Sequence, residues 1–250
     1  MATTVHTLRD SVQDQLAELK DDLLCGFHIL EQAGQGTGIA GHLTARLPGR
    51  ETFWTNRWAL GFDETTARDL IETDFELKTV TGDGRCDPTL HIHTQIYRVR
   101  PDVNCIVHTH ASNVVALGIT GETLRLSTQT GCYYHDDVAV FDEFDGIVLD
   151  TAEGDAIAGA LGRKHAVLLK HHGMLTVGPK IRNAVIGALV VDYAAGVQLK
   201  AMAAGRCDEL SEEAALQAKG FLTAESTMDQ RWAYQKRRAK KRRPDIFGTA

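Results

Sequence analysis

A chain of 250 residues, 43% of them hydrophobic, is long enough to bury an ordinary core without disulfides or a structural metal. Its net charge of -6 and pI near 6.0 exclude a broadly basic nucleic-acid binder. Five cysteines, an odd number with no CxxC spacing, describe neither a disulfide framework nor a zinc finger, so a reducing, cytoplasmic setting is expected.

The opening MATTVHTLRD shows no basic segment followed by an apolar run. The longest uncharged apolar stretch, between Arg182 and Asp192, falls far short of the ~20 residues that span a bilayer, so no membrane partner is expected. Val12, Leu16, Leu19, Leu23, Phe27 and Leu30 recur at helical spacing and predict one amphipathic helix from about residue 8 to residue 33, ended by GQGTG at 34–38. TFWTN (52–56) and LKTVTG (77–82) read as strands, being short, β-branched or aromatic, and bounded by turn residues. Between them, Asp63 or Thr65 is expected to cap a short helix through Leu70. HIHTQIYRV predicts a helix that stops before Pro101, because the residue before proline avoids the helical region. CIVHTH (105–110) and AVLLKHHG (166–173) read as further strands, and residues 181–204 and 209–239 are alanine-rich and helical in pattern. The basic block KRRAKKRR at 236–243 has no aromatic residues interleaved for stacking and reads as a solvated tail, so no nucleic-acid partner is expected from it. Strands and helices mixed without strict alternation predict an α/β sandwich around one mixed or antiparallel sheet.

HTH at 108–110 is the sharpest chemical feature. Side chains at i and i+2 of a strand point to one face, so His108 and His110 can grip one ion. Taken alone, the motif also describes a hydrogen-bonded pair at a strand end. A third ligand must come from elsewhere, and His172 in KHHGMLTVG is the best candidate, since an apolar strand there delivers imidazoles to a glycine that lets the backbone approach closely. Neutral imidazoles suit zinc, iron, manganese or copper, and three of them leave a position open for substrate.

LHIHTQIYRVRPDVNCIVHTH, followed some sixty residues later by AVLLKHHGMLTVG, with GHLTAR at 41–46 and ALGFDETTARDL at 59–70, resembles the class II aldolase and adducin family. The likeness runs from about residue 8 to residue 205. It implies a three-layer α/β/α sandwich: a catalytic domain over 1–205, and a C-terminal helical extension with a basic tail over 206–250, within one globule. It also implies a homotetramer with sites near subunit boundaries, and one divalent transition metal, iron(II) or zinc, on His108, His110 and His172. His171 is then the neighbour that points away, with packing or a supporting hydrogen bond as its role. His93 matches a family histidine that is not usually a ligand.

Departures from the family pattern carry information too. The family's sugar-phosphate aldolases resemble one another in a Ser-Ser-Glu segment whose glutamate moves the proton. Here that segment reads Asp87, Pro88, Thr89, and threonine is no carboxylate base. The phosphate-binding positions also look changed, to Gly41 and His42 and around Asn56, so a phosphorylated sugar is not favoured. Adducins are cytoskeletal and lose metal-binding histidines, whereas this chain keeps all three. DDVAVFDEFDGIVLD at 136–150, with the missing glutamate, is similar to the family's non-heme iron members, which oxidatively decarboxylate prenylated hydroxyphenylpyruvate in aminocoumarin pathways. QTGCYYHDD at 129–137 offers Tyr133, Tyr134, His135, Asp136 and Asp137 as replacement proton-transfer groups, with His135 foremost because an unperturbed imidazole titrates near ~6.5. The expected function is metal-dependent cleavage of a carbon-carbon bond beside a carbonyl in a small unphosphorylated keto or hydroxy acid. The favoured form uses iron and dioxygen to decarboxylate an aromatic keto acid. The alternatives are a zinc-dependent aldolase, decarboxylase or epimerase, and a non-catalytic adducin-like scaffold.

Overall fold

Short β-branched and aromatic runs give the strands β1 His42–Ala45, β2 Thr52–Asn56, β3 Leu70–Asp74, β4 Thr79–Thr81, β5 Cys105–Thr109, β6 Val138–Phe141, β7 Ala166–Leu169 and β8 Gly173–Gly178. The computed structural model describes residues 2–143, 146 and 150–248, and for 2–11 the backbone alone. The strands form one mixed sheet in the order β4-β3-β2-β1-β5-β8-β7-β6. Its neighbours are antiparallel except β6 and β7, which run parallel.

Alternation along the strands sends side chains into two separate cores. Cys105 and Val107 of β5 join Leu43 and Ala45 of β1 under α1 (Ala2–Gln32), and α2 (His91–Val99) lies on the opposite face. Ile106 points to that opposite face, joining Ile92 and Ile96 of α2. α3 (Ser112–Ile119) follows β5 and packs with the first core through Val114 and Leu117. α4 (Thr151–Leu161) joins α2 through Ile157 and Leu161, and α5 (Ile181–Ala203) joins α1 through Val185 and Val191. With helices on both faces of a mixed sheet, the fold is the three-layer α/β/α sandwich expected from the sequence. By length and composition α5 could cross a bilayer, but its apolar residues form this core and it carries Asp192 and Lys200.

α6 (Glu212–Leu222) is capped by the Ser211 side chain, and α7 (Glu225–Arg242) follows after a break at Thr223 and Ala224, so the helical stretch expected over 209–239 is two helices. α8 (Pro244–Phe247) ends the described chain. The basic block is not a solvated tail: it lies largely within α7, where Lys236 pairs with Asp21 and Asp22 and Lys240 with Asp21, docking that helix on α1. Met228, Trp232 and Ala239 of α7 are buried in the first core.

Three local expectations change. Neither Asp63 nor Thr65 caps a helix; Thr66 does, in a capping box with Asp69 over the 3-10 turn Ala67–Asp69, and Leu70 already begins β3. LKTVTG keeps only three strand residues, since Leu77 and Gly82 at its ends take positive φ. AVLLKHHG is not one strand. β7 ends at Leu169, which pairs with Gly173 of β8, and residues 170–172 make the connection, with His171 at φ 61°. Of DDVAVFDEFDGIVLD, residues 144, 145 and 147–149 lie outside the described residues.

Candidate metal centre

His108 and Ile106 share the sheet face that looks toward α2, and His110 follows just beyond the end of β5. The β7-β8 connection brings His172 to the same place, because β8 pairs with β5 and Gly173 closes the approach. A Cβ on Gly173 would lie 2.3 Å from the Thr109 carbonyl oxygen, so only glycine allows these backbones so close. The imidazole nitrogens of His108, His110 and His172 lie within 4.8 Å of one another. Each pair of rings has centroids 4.8 Å apart.

Proton positions in this cluster favour ligation. His108 Nδ1 donates to the Met174 carbonyl at 2.9 Å, which leaves the His108 Nε2 lone pair facing the cluster. His108 Nε2 and His110 Nε2 are 3.0 Å apart, a separation at which two imidazole nitrogens share either a proton or a cation. Burial, aided by the neighbouring imidazoles, holds His108 well below the usual histidine range, lowers His110, and brings His172 to about 4. All three therefore stand as neutral imidazoles near pH 7, the form that binds a transition metal. An all-nitrogen donor set fits zinc or iron and not magnesium or calcium.

Around the cluster stands a layer in which sequence reasoning had not found the pairing of His42 with Asp87. His42 pairs with His108 in the β1-β5 register, and their rings lie 5.4 Å apart. His42 Nε2 is 3.1 Å from Thr89 Oγ1 and 3.4 Å from Asp87 Oδ2. Burial alone would raise the Asp87 carboxyl, but the interactions with His42 and Thr89 outweigh it and hold the group at about 2. His93 is fully buried; its Nδ1 and the Tyr97 hydroxyl both lie 2.8 Å from Thr44 Oγ1. The His93 ring also stands edge-on to that of His42, with centroids 5.5 Å apart. The Thr89 position, where a carboxylate base would stand, is engaged in donating its hydroxyl to Asp87 at 2.6 Å.

A cavity of about 850 Å³ opens on the cluster. Its wall is largely apolar, with Ile39, Trp58, Ile92, Val115 and Ile119, and among the described residues no lysine or arginine lines it. Tyr133, Tyr134 and His135 do not line this cavity. They occupy the 3-10 turn Gly131–Tyr134 and its C-cap, just before β6. β6 runs parallel to β7, whose far end leads to His172, so a strand length, on the order of 13 Å, separates His135 from the cluster. His135 is buried there, and its carbonyl accepts from Lys219 Nζ at 2.7 Å. Burial raises the Tyr133 phenol to about 12 and that of Tyr134 well above the usual range.

The chain is 37% identical over 181 residues to "Decarboxylase NovR" of Streptomyces niveus, covering 71% of this chain and 67% of that protein. It is 36% identical over 181 residues to "4-hydroxy-3-prenylphenylpyruvate oxygenase/4-hydroxy-3-prenylbenzoate synthase" of Streptomyces roseochromogenus subsp. oscitans, covering 71% of this chain and 65% of that one, just under two thirds of its length. Among solved structures, L-fuculose 1-phosphate aldolase from Glaciozyma antarctica PI12 superposes with a TM-score of 0.85 at 30% identity, covering 95% of this chain and 94% of that one. An aldolase II superfamily protein from Pseudomonas syringae gives 0.86 at 25% identity, covering 96% and 99%. Residues 21–199, most of the sandwich and every histidine of the cluster, match the family described as Class II Aldolase and Adducin N-terminal domain. The chain that folds around this cluster belongs to the class II aldolase and adducin family.

Proposed function

We propose that this chain is an enzyme that breaks a carbon-carbon bond beside a carbonyl in a small unphosphorylated keto or hydroxy acid, by oxidative decarboxylation of an aromatic keto acid. The observation that carries the reading is the cavity: three neutral imidazoles at its floor, an apolar wall, and no cationic side chain among the described residues to receive a phosphate. His108, His110 and His172 would hold one divalent metal, iron(II) in this reading, which supplies a Lewis acid for the carboxylate and carbonyl and, with dioxygen, an oxidant.

The protein's own residues do the rest. The Met174 carbonyl fixes the His108 ring, and the close Gly173 approach fixes His110 against His172. Buried Ile92, with the more exposed Trp58 and Ile119, gives the cavity an apolar wall that suits an aromatic ring. Thr89 offers no carboxylate at the position where the family's aldolases place their base, which disfavours a retro-aldol route. The names of the two Streptomyces relatives, a decarboxylase and an oxygenase, support the same direction. The same reading places the enzyme in a reducing cytoplasm, where Cys25, Cys86, Cys105 and Cys132 stay buried free thiols, and makes it a homotetramer.

The test pairs elemental analysis of protein purified without added metal with an oxygen electrode and aromatic keto acids. About one iron per chain is expected, with oxygen uptake matched by carbon dioxide release. Cleavage without oxygen uptake would replace the oxidative reading with the zinc-type lyase. Failure to turn over any keto acid would overturn the oxidative reading.

A further inference from the structure

Asp87 enters the cavity one imidazole away from the metal cluster and remains unexplained by metal binding. Its Oδ1 accepts twice from Thr89, from the backbone N–H at 2.8 Å and from Oγ1 at 2.6 Å. Its Oδ2 is 3.4 Å from His42 Nε2, long for a hydrogen bond. A carboxylate has about four acceptor positions, so Oδ2 retains capacity in a group that lines the cavity. No lysine or arginine among the described lining residues offsets its charge, and the apolar wall keeps the local dielectric low.

We propose that Asp87 is a specificity-determining residue: its carboxylate accepts a hydrogen bond from a substrate hydroxyl and excludes a second anionic group from that end of the cavity. The inference rests on the keto-acid reading above, in which the first carboxylate of the substrate goes to the histidine cluster. A hydroxyl satisfies Oδ2, whereas a phosphate or second carboxylate placed beside it meets a like charge. The two hydrogen bonds from Thr89, with His42 nearby, favour the ionised carboxylate, so this selection persists across the working pH range.

Asp87 also caps the short turn Pro88–Leu90 through Thr89 N, so the test has to keep that cap. Asp87→Asn does so, because asparagine caps as well as aspartate while carrying no charge. Titration calorimetry on the metal-loaded wild type and variant would use phenylpyruvate, 4-hydroxyphenylpyruvate and inorganic phosphate. The wild type is expected to prefer the hydroxylated acid by about 10-fold, the variant by less than about 3-fold, and phosphate is expected to bind the variant about 10-fold more tightly than the wild type. An unchanged hydroxyl preference together with equal phosphate affinity overturns the assignment. Asp87→Ser, another uncharged cap, repeats the comparison should the asparagine variant fold poorly. If neither keto acid binds either protein, the keto-acid reading fails, while the phosphate comparison still decides whether Asp87 excludes anions.

Discussion

His171 and His172 carry the same side chain, and the backbone makes them different residues. At φ 61° His171 sits in the left-handed region that L residues enter at a cost, and that turn directs the next imidazole onto the cluster. Replacing His172 with alanine is expected to weaken metal binding by at least about 100-fold, beyond the usual effect of losing a supporting hydrogen bond, while His171→Ala keeps its metal. Metal analysis after dialysis measures both, and equal losses would remove His172 from its privileged place. The spacing of HTH made two members of the histidine cluster legible in the sequence. The partnership of His42 with Asp87 was not, because residues 45 apart meet only through the β1-β5 register and the turn before α2. Asp87 also has a pH signature in the metal-free chain. Its folded value of about 2 lies below the ordinary 3.8, so its contribution to stability is fully present above 3.8 and disappears as pH falls toward 2. The stability gap between wild type and Asp87→Asn, followed by denaturant melts, should be constant near neutrality and close over that window. A gap that widens on acidification would contradict the assignment.

At the scale of elements, the site depends on how closely two strand ends approach. In Gly173→Ala the added carbon would overlap the Thr109 carbonyl and press on His110, whose Cδ2 lies 3.1 Å from it. The expected cost is about 1–3 kcal/mol, with several degrees lost from Tm and reduced metal content. Thermal melts with and without metal check this, and a variant with unchanged metal content would show that the approach is not what assembles the ligands. Periodicity found the heart of α1, because amphipathic spacing reports a single buried stripe, and Pro101 marked where α2 ends. It misread AVLLKHHG as one strand, since an apolar run does not reveal that Leu169 pairs back with Gly173. The basic run in α7 misled for a related reason: charge alone does not show that Asp21 and Asp22 on a helix more than two hundred residues earlier await it.

For the whole molecule, closed symmetry is the expected state, and the described surface leaves Phe221 69%, Tyr193 55% and Leu216 52% exposed on α6 and α5. Light scattering at micromolar concentration should return four times the 27.4 kDa chain mass, and a monomer would exclude the tetramer. The sequence by itself determined the family, the α/β class and the identity of the three clustered histidines, because ordered motifs and strand spacing are local properties of a chain. Only the tertiary structure decided what surrounds those histidines. It set Tyr133, Tyr134 and His135 at the opposite end of β6 and β7 and placed His42 and Asp87 in the cavity instead. Which side chains share a cavity follows from strand order and register, and those are fixed by the packing of two cores that no stretch of sequence contains alone.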